Sequence, residues 1–542
     1  MSPDQQLIIL GVAAVTLVAV AGLRRVGVPA PVVLVVAGLA IGFTPFVPDV
    51  SLSPDVVLLG LLPLLVYDAA ITSSPRAFYR NARSIGLLAV ALVVATAFAV
   101  AAVVHWLGHL SWPISFVLGT AVGPTDAVAA TSIARRLGLP RRLLTILEGE
   151  ALFNDATALV LYAAAVAAAT TGHFSVLHTA GSIVYSAVVG GAIGLAVGGI
   201  GRWIRNRVDD APIEIAGSML LAYAAYLPAQ AAHASGVLAA VTAGLYLGWH
   251  SSGGAFSARS RLQSTAFWET LVFLVNAALF VLVGLSFHTF STRARGPLER
   301  LVITGAAVVG AVVVLRLVWM WAFAWLIRPK RTGGPGVGGH PGGPGVSQHR
   351  GRERLVLGWS GMRGAITLAA LLAVPAVTNG GQPLGGRDDV IYYGFAVIVV
   401  TLVVQGLTLP TLARRLGLRE HPSVADTERQ ARLDLARVAL DHLGRACDAG
   451  ELPEELADGL RAQYLARVRR LETMSDDDDD SQDDSDRGAG ATVAAEMAMR
   501  QELIALQRRA LIDMRDRSRI GLSTVRTIER DLDLEEARLH PV

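Results

Sequence analysis

Six carboxylates and two guanidiniums are among the charged side chains that lie inside long apolar segments of this chain, where such side chains are rare. They are Asp68, Asp126, Glu148, Glu150, Asp155 and Glu269, together with Arg316 and Arg363. A charge at the centre of a bilayer costs about 2.5–3.5 kcal/mol on insertion scales, so each such residue needs a partner or a function. The pattern indicates a path for ions or protons through a membrane.

Gly123 and Pro124 interrupt the apolar segment 113–134 and are followed directly by Thr125 and Asp126. Proline has no backbone N–H, so its presence frees a carbonyl in the preceding turn. Unpaired backbone at membrane depth survives only inside protein or beside a cavity, and secondary transporters build ion sites from such broken helices. Gly-Pro alone is equally compatible with a simple kink, but the adjoining threonine and aspartate favour an ion site.

The segment 142–170 carries Glu150, Asn154 and Asp155. On a helix, Glu150 and Asn154 are neighbours, whereas Asp155 lies about 100° further round. A buried carboxylate suits exchange, because burial favours its protonated form and a nearby cation favours its charged form. We expect Asp155 to be the exchanging group and Glu150 to be held in a salt bridge.

Arg363 lies between two glycines in the apolar segment 355–378, where the glycines permit local unwinding. A guanidinium repels a carried cation, so direct contact with the ion is disfavoured. We expect Arg363 to brace the site by pairing with Glu150 or Asp126.

The composition excludes an ordinary soluble enzyme. The chain has 542 residues, of which 53% are hydrophobic and 17% charged, whereas soluble proteins have about 25% charged residues. Its single cysteine excludes an internal disulfide or a cysteine metal cluster. Nucleotide-binding and hydrolase motifs are missing from the sequence, and the apolar segments show no obvious His or Lys partner for an intramembrane hydrolase. We therefore predict neither an enzyme nor a cofactor.

Thirteen segments, plus or minus one, are long and apolar enough to span a bilayer. They lie near 6–23, 28–45, 55–72, 85–107, 113–134, 142–170, 176–201, 212–230, 235–250, 262–286, 300–327, 355–378 and 390–413. Arginine-rich loops alternate with loops that lack Lys and Arg, which places the N-terminus outside and the C-terminus in the cytoplasm. The loop 287–299, with two arginines, is the exception.

The charge divides the chain into two predicted domains. Residues 1–419 have 29 basic and 16 acidic side chains, and residues 420–542 have 18 and 28. We predict a transmembrane domain over 1–419, containing a flexible Gly/Pro-rich connector at 331–350. Residues 420–542 are predicted to be a helical cytoplasmic tail, with a solvated acidic linker at 475–486 that lacks the ligand spacing of a calcium loop.

Five segments resemble signature segments of bacterial Na+/H+ exchangers of the NhaP type, related to animal sodium/hydrogen exchangers. They are LLPLLVYDAA (61–70), GPTDAVAATS (123–132), LEGEALFNDATALVLY (147–162), FWETLVFLVNAALFVLVGL (267–285) and GMRGAITLA (361–369). The resemblance covers about 5–415. It implies an all-α polytopic fold of thirteen helices in inverted repeats, with the fifth and twelfth unwound and crossing. It also implies a homodimer with core and dimerisation domains and alternating access.

The resemblance also implies roles for individual residues. Asp155 binds the cation and the proton in alternation, and Asn154 is the neutral partner associated with electroneutral exchange. The other roles are cation ligation by Thr125 and, through water, by Asp68; compensation of helix ends by Asp126; and a bracing ion pair between Glu150 and Arg363. Arg316 matches a family arginine whose partner stays open, Glu148 being one candidate.

Two departures leave the ion open. The family often has serine at the position of Ala151, and Asp68 is shorter than the usual glutamate, so Na+, Li+ and K+ all remain candidates. We predict a plasma-membrane antiporter that exchanges such a cation for H+ in pH homeostasis, surrounded by lipid, as a homodimer and without a nucleic-acid partner. The alternatives are a K+/H+ antiporter of the same fold and a passive cation channel.

Overall fold

A computed structural model of the chain describes most of its residues. These are 28–44, 55–73, 75–172, 175–207, 210–250, 258–293, 297–326, 344–418, 422–450, 454–473, 490–517 and 519–539. Within these ranges the chain is helical and contains no strand. The first predicted span (6–23), residues 331–343 of the predicted connector and the predicted acidic linker lie outside the described residues.

The described residues form two compact units, the first of which comprises those that fall within Met1–Arg207, Ala216–Ser251 and Trp268–Arg419. Its α-helices, in chain order, are α1 (Ala30–Gly42), α2 (Leu62–Thr72), α3 (Pro75–Gly86), α4 (Val93–Gly108), α5 (Trp112–Ala121), α6 (Ala127–Arg136), α7 (Arg141–Thr171), α8 (Val176–Arg205), α9 (Ala211–Ala231), α10 (Gly236–His250), α11 (Ala258–Arg293), α12 (Leu298–Leu326), α13 (Pro344–Trp359), α14 (Ala365–Leu372), α15 (Arg387–Val400) and α16 (Gly406–Arg415). Three π-helical segments adjoin these helices: Val56–Leu61 precedes α2, Leu87–Leu92 joins α3 to α4, and Thr401–Gln405 joins α15 to α16. The first turns of α9 and α11 belong to the second unit.

Six helical stretches among the described residues are long and apolar enough to cross a membrane by themselves. They are Asn81–Gly108, Arg142–Thr171, Thr179–Arg205, Ser260–Thr292, Leu298–Ala322 and Arg387–Arg415. Shorter apolar helices lie at Ala30–Gly42, Val56–Thr72 and Trp112–Ala121. Together they identify an integral membrane protein, and the described residues carry helix over each predicted span from the second onward.

One predicted boundary is wrong. Residues 344–350 were expected to belong to a flexible connector, but α13 begins at Pro344, eleven residues before the predicted start of the twelfth span. Proline is favoured in the first turn of a helix because the N–H that it lacks has no partner there. The polar residues that follow are compatible with a helix that extends beyond an apolar span.

Close backbone contacts hold the first unit together. A Cβ on Gly38 of α1 would lie 2.2 Å from the carbonyl oxygen of Val281, and one on Gly284 would lie 2.4 Å from that of Val35. Glycine is thus required on both sides of the α1–α11 crossing. Such small residues let helices approach closely where water cannot drive their association.

The second unit contains residues 420–542 together with 208–215 and 252–267. Its helices in the C-terminal part are α17 (Pro422–Asp448), α18 (Glu454–Thr473), α19 (Gly490–Asp516) and α20 (Leu522–Leu539). They bury two apolar clusters, one around Leu443, Leu460 and Leu503 and the other around Leu435, Ile504 and Ile528. Each cluster combines helices far apart in sequence, so the C-terminal part has a core of its own.

Candidate ion-binding site

The backbone is not helical between α5 and α6. The helix α5 ends at Ala121 and α6 begins at Ala127, with Gly123 and Pro124 in the gap. Asp126 occupies the N-cap position of α6, where its Oδ1 accepts a hydrogen bond from the Val128 N–H at 2.8 Å. A carboxylate is favourable there because it satisfies a free N–H and lies at the positive end of the helix.

A second gap separates α13 from α14, between Trp359 and Ala365. The two gaps are hydrogen-bonded to each other, because the N–H of Asp126 donates to the carbonyl of Met362 at 2.8 Å. The contact is close: a Cβ on Gly364 would lie 1.8 Å from Oδ2 of Asp126. Only glycine therefore fits at position 364 in this arrangement.

Three predicted site residues form one buried network where α7 passes the first gap. The Thr125 hydroxyl donates to Oε1 of Glu150 at 2.9 Å, and Nδ2 of Asn154 donates to the Thr125 hydroxyl at 3.0 Å. All three side chains are buried. The spacing of Glu150 and Asn154, one turn apart on α7, places both against the same threonine.

Glu150 pairs with Arg316 and not with Arg363, so the predicted bracing pair is wrong. The guanidinium Nη2 of Arg316 donates to Oε2 of Glu150 at 2.9 Å, and Nη1 donates to Oε1. Both side chains are 1% exposed. Arg316 also donates to the carbonyl of Leu357 from Nε and Nη2, at 3.3 and 3.2 Å. Glu148, considered as a partner for Arg316, instead pairs with Arg135 at 2.6 Å.

The Arg363 side chain bonds to backbone carbonyls. Its Nε donates to the carbonyl of Val122 at 3.0 Å, its Nη1 donates to that of Gly361, and its own N–H donates to the Thr401 hydroxyl at 3.2 Å. Val122 follows the last residue of α5, so the guanidinium lies at the negative end of that helix. Arg363 and Asp126 thus place opposite charges at the two helix ends that face the gap.

Within the described ranges, Asp155 is a carboxylate of this region that has no partner. It is half-buried, and among the described residues its side chain makes no hydrogen bond or ion pair. The preceding residue, Asn154, has a buried Oδ1 that also lacks a hydrogen-bond partner there. Consecutive residues of α7 therefore carry oxygen atoms that can accept a hydrogen bond but receive none from the part of the chain that the structure describes.

Asp68 lies on α2 and is half-buried, with its carbonyl accepting a hydrogen bond from the Thr72 hydroxyl at 2.8 Å. Within the part of the chain that the structure describes, no three Asp, Glu, His or Cys side chains are grouped to hold a metal ion. The joint role of Asp68, Thr125 and Asp155 in cation ligation stays a prediction.

The profile of the family described as "Sodium/hydrogen exchanger, transmembrane" matches residues 12–415, about three quarters of the chain. The chain belongs to the sodium/hydrogen exchanger family. Comparisons with individual proteins also indicate an NhaP-like exchanger. An exchanger of Mycobacterium tuberculosis is 36% identical over 97% of this chain and 95% of its own length. The Na+/H+ antiporter ApNhaP of Aphanothece halophytica is 31% identical over 72% of this chain and 70% of its own.

A solved exchanger structure has the same fold. The sodium proton antiporter MjNhaP1 of Methanocaldococcus jannaschii aligns with a TM-score of 0.58 at 18% identity, covering 76% of this chain and 99% of that one. The predicted relationship to NhaP-type exchangers is confirmed by these comparisons, as is cation:proton antiport as the activity of the family. The relatives are transporters, which agrees with the prediction that this exchanger is not an enzyme.

Sequence reasoning missed one buried polar group of this exchanger. Gln405 ends the π-helical segment Thr401–Gln405 and is 2% exposed, and both its Oε1 and its Nε2 lack partners among the described residues. The presence of a glutamine inside the apolar segment 390–413 could have indicated a buried polar group. The sequence alone could not distinguish it from an amide bonded to its own helix.

Proposed function

We propose that this exchanger carries one monovalent cation, Na+ in the first instance, against one proton, and that the two compete for Asp155. The observation that carries the proposal is the carboxylate of Asp155, which is half-buried and has no partner among the described residues, while Glu150 nearby is fully paired. A carboxylate held by a guanidinium has no reason to release its partner during transport. An unpaired one must take up either H+ or a cation when water is scarce.

The neighbouring groups provide oxygen ligands for the cation. Asn154 Oδ1 is buried and has no donor among the described residues, and the Thr125 oxygen lies 3.0 Å from Asn154 Nδ2. Oxygen ligands suit hard cations. In the proposed cation-bound state, Asp155 and Thr125 bind the ion, Asp68 reaches it through water, and Asn154 stays neutral.

The charges of the site favour one-for-one exchange. Arg316 neutralises Glu150, and Arg363 and Asp126 carry opposite charges at the ends of the broken helix. Counted in their ionised forms, these four cancel and leave Asp155 as the negative charge that the proposal places in direct contact with the ion, while Asp68 keeps its own charge behind water in both states. One proton or one monovalent cation neutralises the charge of Asp155, so we propose that exchange is electroneutral.

The proposed architecture places this site at the crossing of two unwound spans. The hydrogen bond between Asp126 and Met362 joins the two non-helical gaps and supports that arrangement. We further propose thirteen spans in inverted repeats, a plasma-membrane homodimer with its N-terminus outside, and alternating access of the site to the two sides. The helical tail would then lie in the cytoplasm.

A K+/H+ antiporter is the second candidate, because Ala151 cannot supply an oxygen ligand to the cation. It stands four residues before Asp155 on α7, is buried, and has no hydroxyl to offer. With fewer protein oxygens, a bound cation keeps more water, which reduces discrimination between ions of different size. Na+, Li+ and K+ should therefore be tested in parallel.

Cation-driven proton flux through membrane vesicles tests the proposal. Acid-loaded vesicles containing a pH-sensitive dye should lose protons when Na+ is added outside, and Asp155→Asn should abolish this response because an amide cannot exchange a proton. Asp155→Ala should behave in the same way. Glu299→Gln is the matched control, since Glu299 is an exposed carboxylate in the first turn of α12, and its flux should equal that of the wild type.

Normal flux from Asp155→Asn at equal protein content would refute the assignment of Asp155. Cation movement without proton movement would favour the passive channel. A flux rate that changes with an imposed membrane potential would contradict one-for-one exchange, and faster flux with K+ than with Na+ would favour the second candidate.

A further inference from the structure

The start of α11 folds with the C-terminal part of the chain. Residues 252–267 and 208–215 belong to the same compact unit as 420–542, although they precede it by more than 150 residues. Within this unit Ser260 of α11 donates a hydrogen bond to Glu214 of α9. The second unit thus includes the first turns of α9 and α11, whose later turns belong to the first unit.

One carboxylate of α20 fixes this start of α11. Oδ2 of Asp533 accepts from Nε of Arg261 at 2.8 Å, and Oδ1 accepts from Nη2 of both Arg261 and Arg508, the latter at 2.6 Å. The Asp533 side chain is 5% exposed, and those of Arg261 and Arg508 are 19% and 16% exposed. A bidentate guanidinium–carboxylate pair fixes orientation as well as distance. Because it is buried, it is also less weakened by salt than a surface pair.

Two turns further along the same helix, Trp268 contacts the residue that precedes Asp68. Trp268 follows Arg261 by seven residues, about 10 Å along a helix, and therefore lies near the same face. Its ring lies against Tyr67 with centroids 5.8 Å apart, and its Nε1 donates to the Ser218 hydroxyl at 3.0 Å. Tyr67 is 1% exposed and directly precedes Asp68 on α2.

We propose that Asp533 is a positioning residue for cation binding, acting through Arg261, α11 and the Trp268–Tyr67 contact on Asp68. The inference rests on the proposed function, in which Asp68 reaches the cation through water. Asp533 fixes the first turns of α11, α11 fixes Trp268, and Trp268 restricts the part of α2 that carries Asp68. Loss of the Asp533–Arg261 pair weakens cation binding while leaving Asp155 and the proton step in place.

The half-saturating Na+ concentration of vesicle flux tests this coupling in the full-length protein. Arg261→Gln removes the pair but leaves Asp533 bound to Arg508, so the C-terminal unit keeps part of its cluster. We expect Arg261→Gln and Asp533→Asn each to raise the half-saturating concentration about threefold or more, with a maximal rate close to that of the wild type. The half-saturating concentration of the double variant should be no higher than that of the more affected single variant, because both changes remove the same contact.

Arg437→Gln is the matched control. Arg437 pairs with Glu472 at 3.4 Å within the C-terminal unit, but the two side chains are 54% and 51% exposed. Exposed pairs contribute little, so this variant should keep the half-saturating concentration of the wild type. A purely structural role of Asp533 would lower the maximal rate through loss of folded protein and leave half-saturation unchanged.

If Arg261→Gln has the half-saturating Na+ concentration of the wild type, the inference is overturned, whatever the maximal rate. It is also overturned if the effects of the two single substitutions on that concentration add up in the double variant. The proposed function has a separate control in Asp155→Asn. If the wild type shows flux, Asp155→Asn shows none and Arg261→Gln has normal half-saturation, only the coupling is refuted. If the wild type shows no cation-dependent flux, the proposed function and the coupling both fail.

Discussion

Replacing one partner of the Glu150–Arg316 pair should destabilise the bundle far more than replacing both. Both side chains are 1% exposed, and two guanidinium nitrogens bond to the two carboxylate oxygens. Removing one partner of a buried pair leaves an uncompensated charge and costs about 3–5 kcal/mol. Since about 1.4 kcal/mol is a factor of ten, the unfolded fraction should rise by roughly two to four powers of ten.

The geometry sets a different cost for the double substitution. Arg316→Met with Glu150→Gln removes both charges at similar side-chain volume, and such replacements are often neutral or stabilising by about 1–4 kcal/mol. The Thr125 hydroxyl can still donate to the amide oxygen of a glutamine at position 150. The lost bonds from Arg316 to the Leu357 carbonyl are the remaining cost.

Thermal unfolding of the purified protein in detergent, followed by tryptophan fluorescence, measures the three variants against the wild type. Arg135→Met is the control, because Arg135 pairs with Glu148 but its side chain is 67% exposed, and such a pair contributes about 1 kcal/mol at most. The reasoning is refuted if Arg316→Met unfolds at the same temperature as Arg135→Met, or if the double variant is as unstable as the two single effects added together.

Two other substitutions test the gap between α13 and α14 and the second unit, and Gly191→Ala is the control for the first of them. Gly364→Ala should lower both thermal stability and flux, since its Cβ would lie 1.8 Å from Asp126 Oδ2, whereas Gly191→Ala meets nothing within 4 Å and should be silent in both assays. Burial raises the pKa of Glu529, so the folded chain holds that proton more tightly than the unfolded chain, and the stability this gives is present at low pH and lost as the pH rises through the folded pKa. Glu529→Gln should therefore raise the unfolding temperature at pH 8 and leave it unchanged at pH 4; an equal effect at both pH values would contradict the burial of a charged Glu529.

Hydropathy and composition predicted the helices well, because a bilayer imposes a length and a polarity on each span that a single sequence displays. The prediction was weaker where a helix continues into a polar region. Proline at position 344 begins α13 well before the apolar segment does, and the window that detects a span does not detect such an extension.

The network of the candidate site was partly visible in the sequence. Local spacing correctly placed Glu150 beside Asn154, and the Gly-Pro pair marked the gap that brings Thr125 to both of them. The partner of Glu150 was predicted wrongly as Arg363, since Arg316 and Arg363 both lie in apolar segments and the sequence does not distinguish them. Which guanidinium reaches a carboxylate depends on the rotation of distant helices, and sequence spacing has no information on that rotation.

The contact between Arg261 and Asp533 was beyond sequence reasoning for a similar cause. The two residues are 272 positions apart, in a predicted membrane domain and a predicted tail. Each of the two is one of many charged residues in its part of the sequence, and nothing in the sequence pattern singles it out. Only the fold shows that this pair is buried and that the exposed pair Arg437–Glu472 is not.

The two arginines of the site bind different partners, and this explains how the Asp155 carboxylate can stay unpaired among the described residues. Arg316 is held by Glu150 and by the Leu357 carbonyl, and Arg363 is held by the carbonyls at the edges of the two gaps. Each guanidinium therefore donates to other acceptors of the site, and among the described residues neither bonds to Asp155. If either arginine paired with Asp155, a cation would have to displace a fixed charge of the same sign, and exchange would be slow. The broken helices thus supply carbonyls that hold Arg363 in place, and this placement leaves Asp155 available to a cation or a proton.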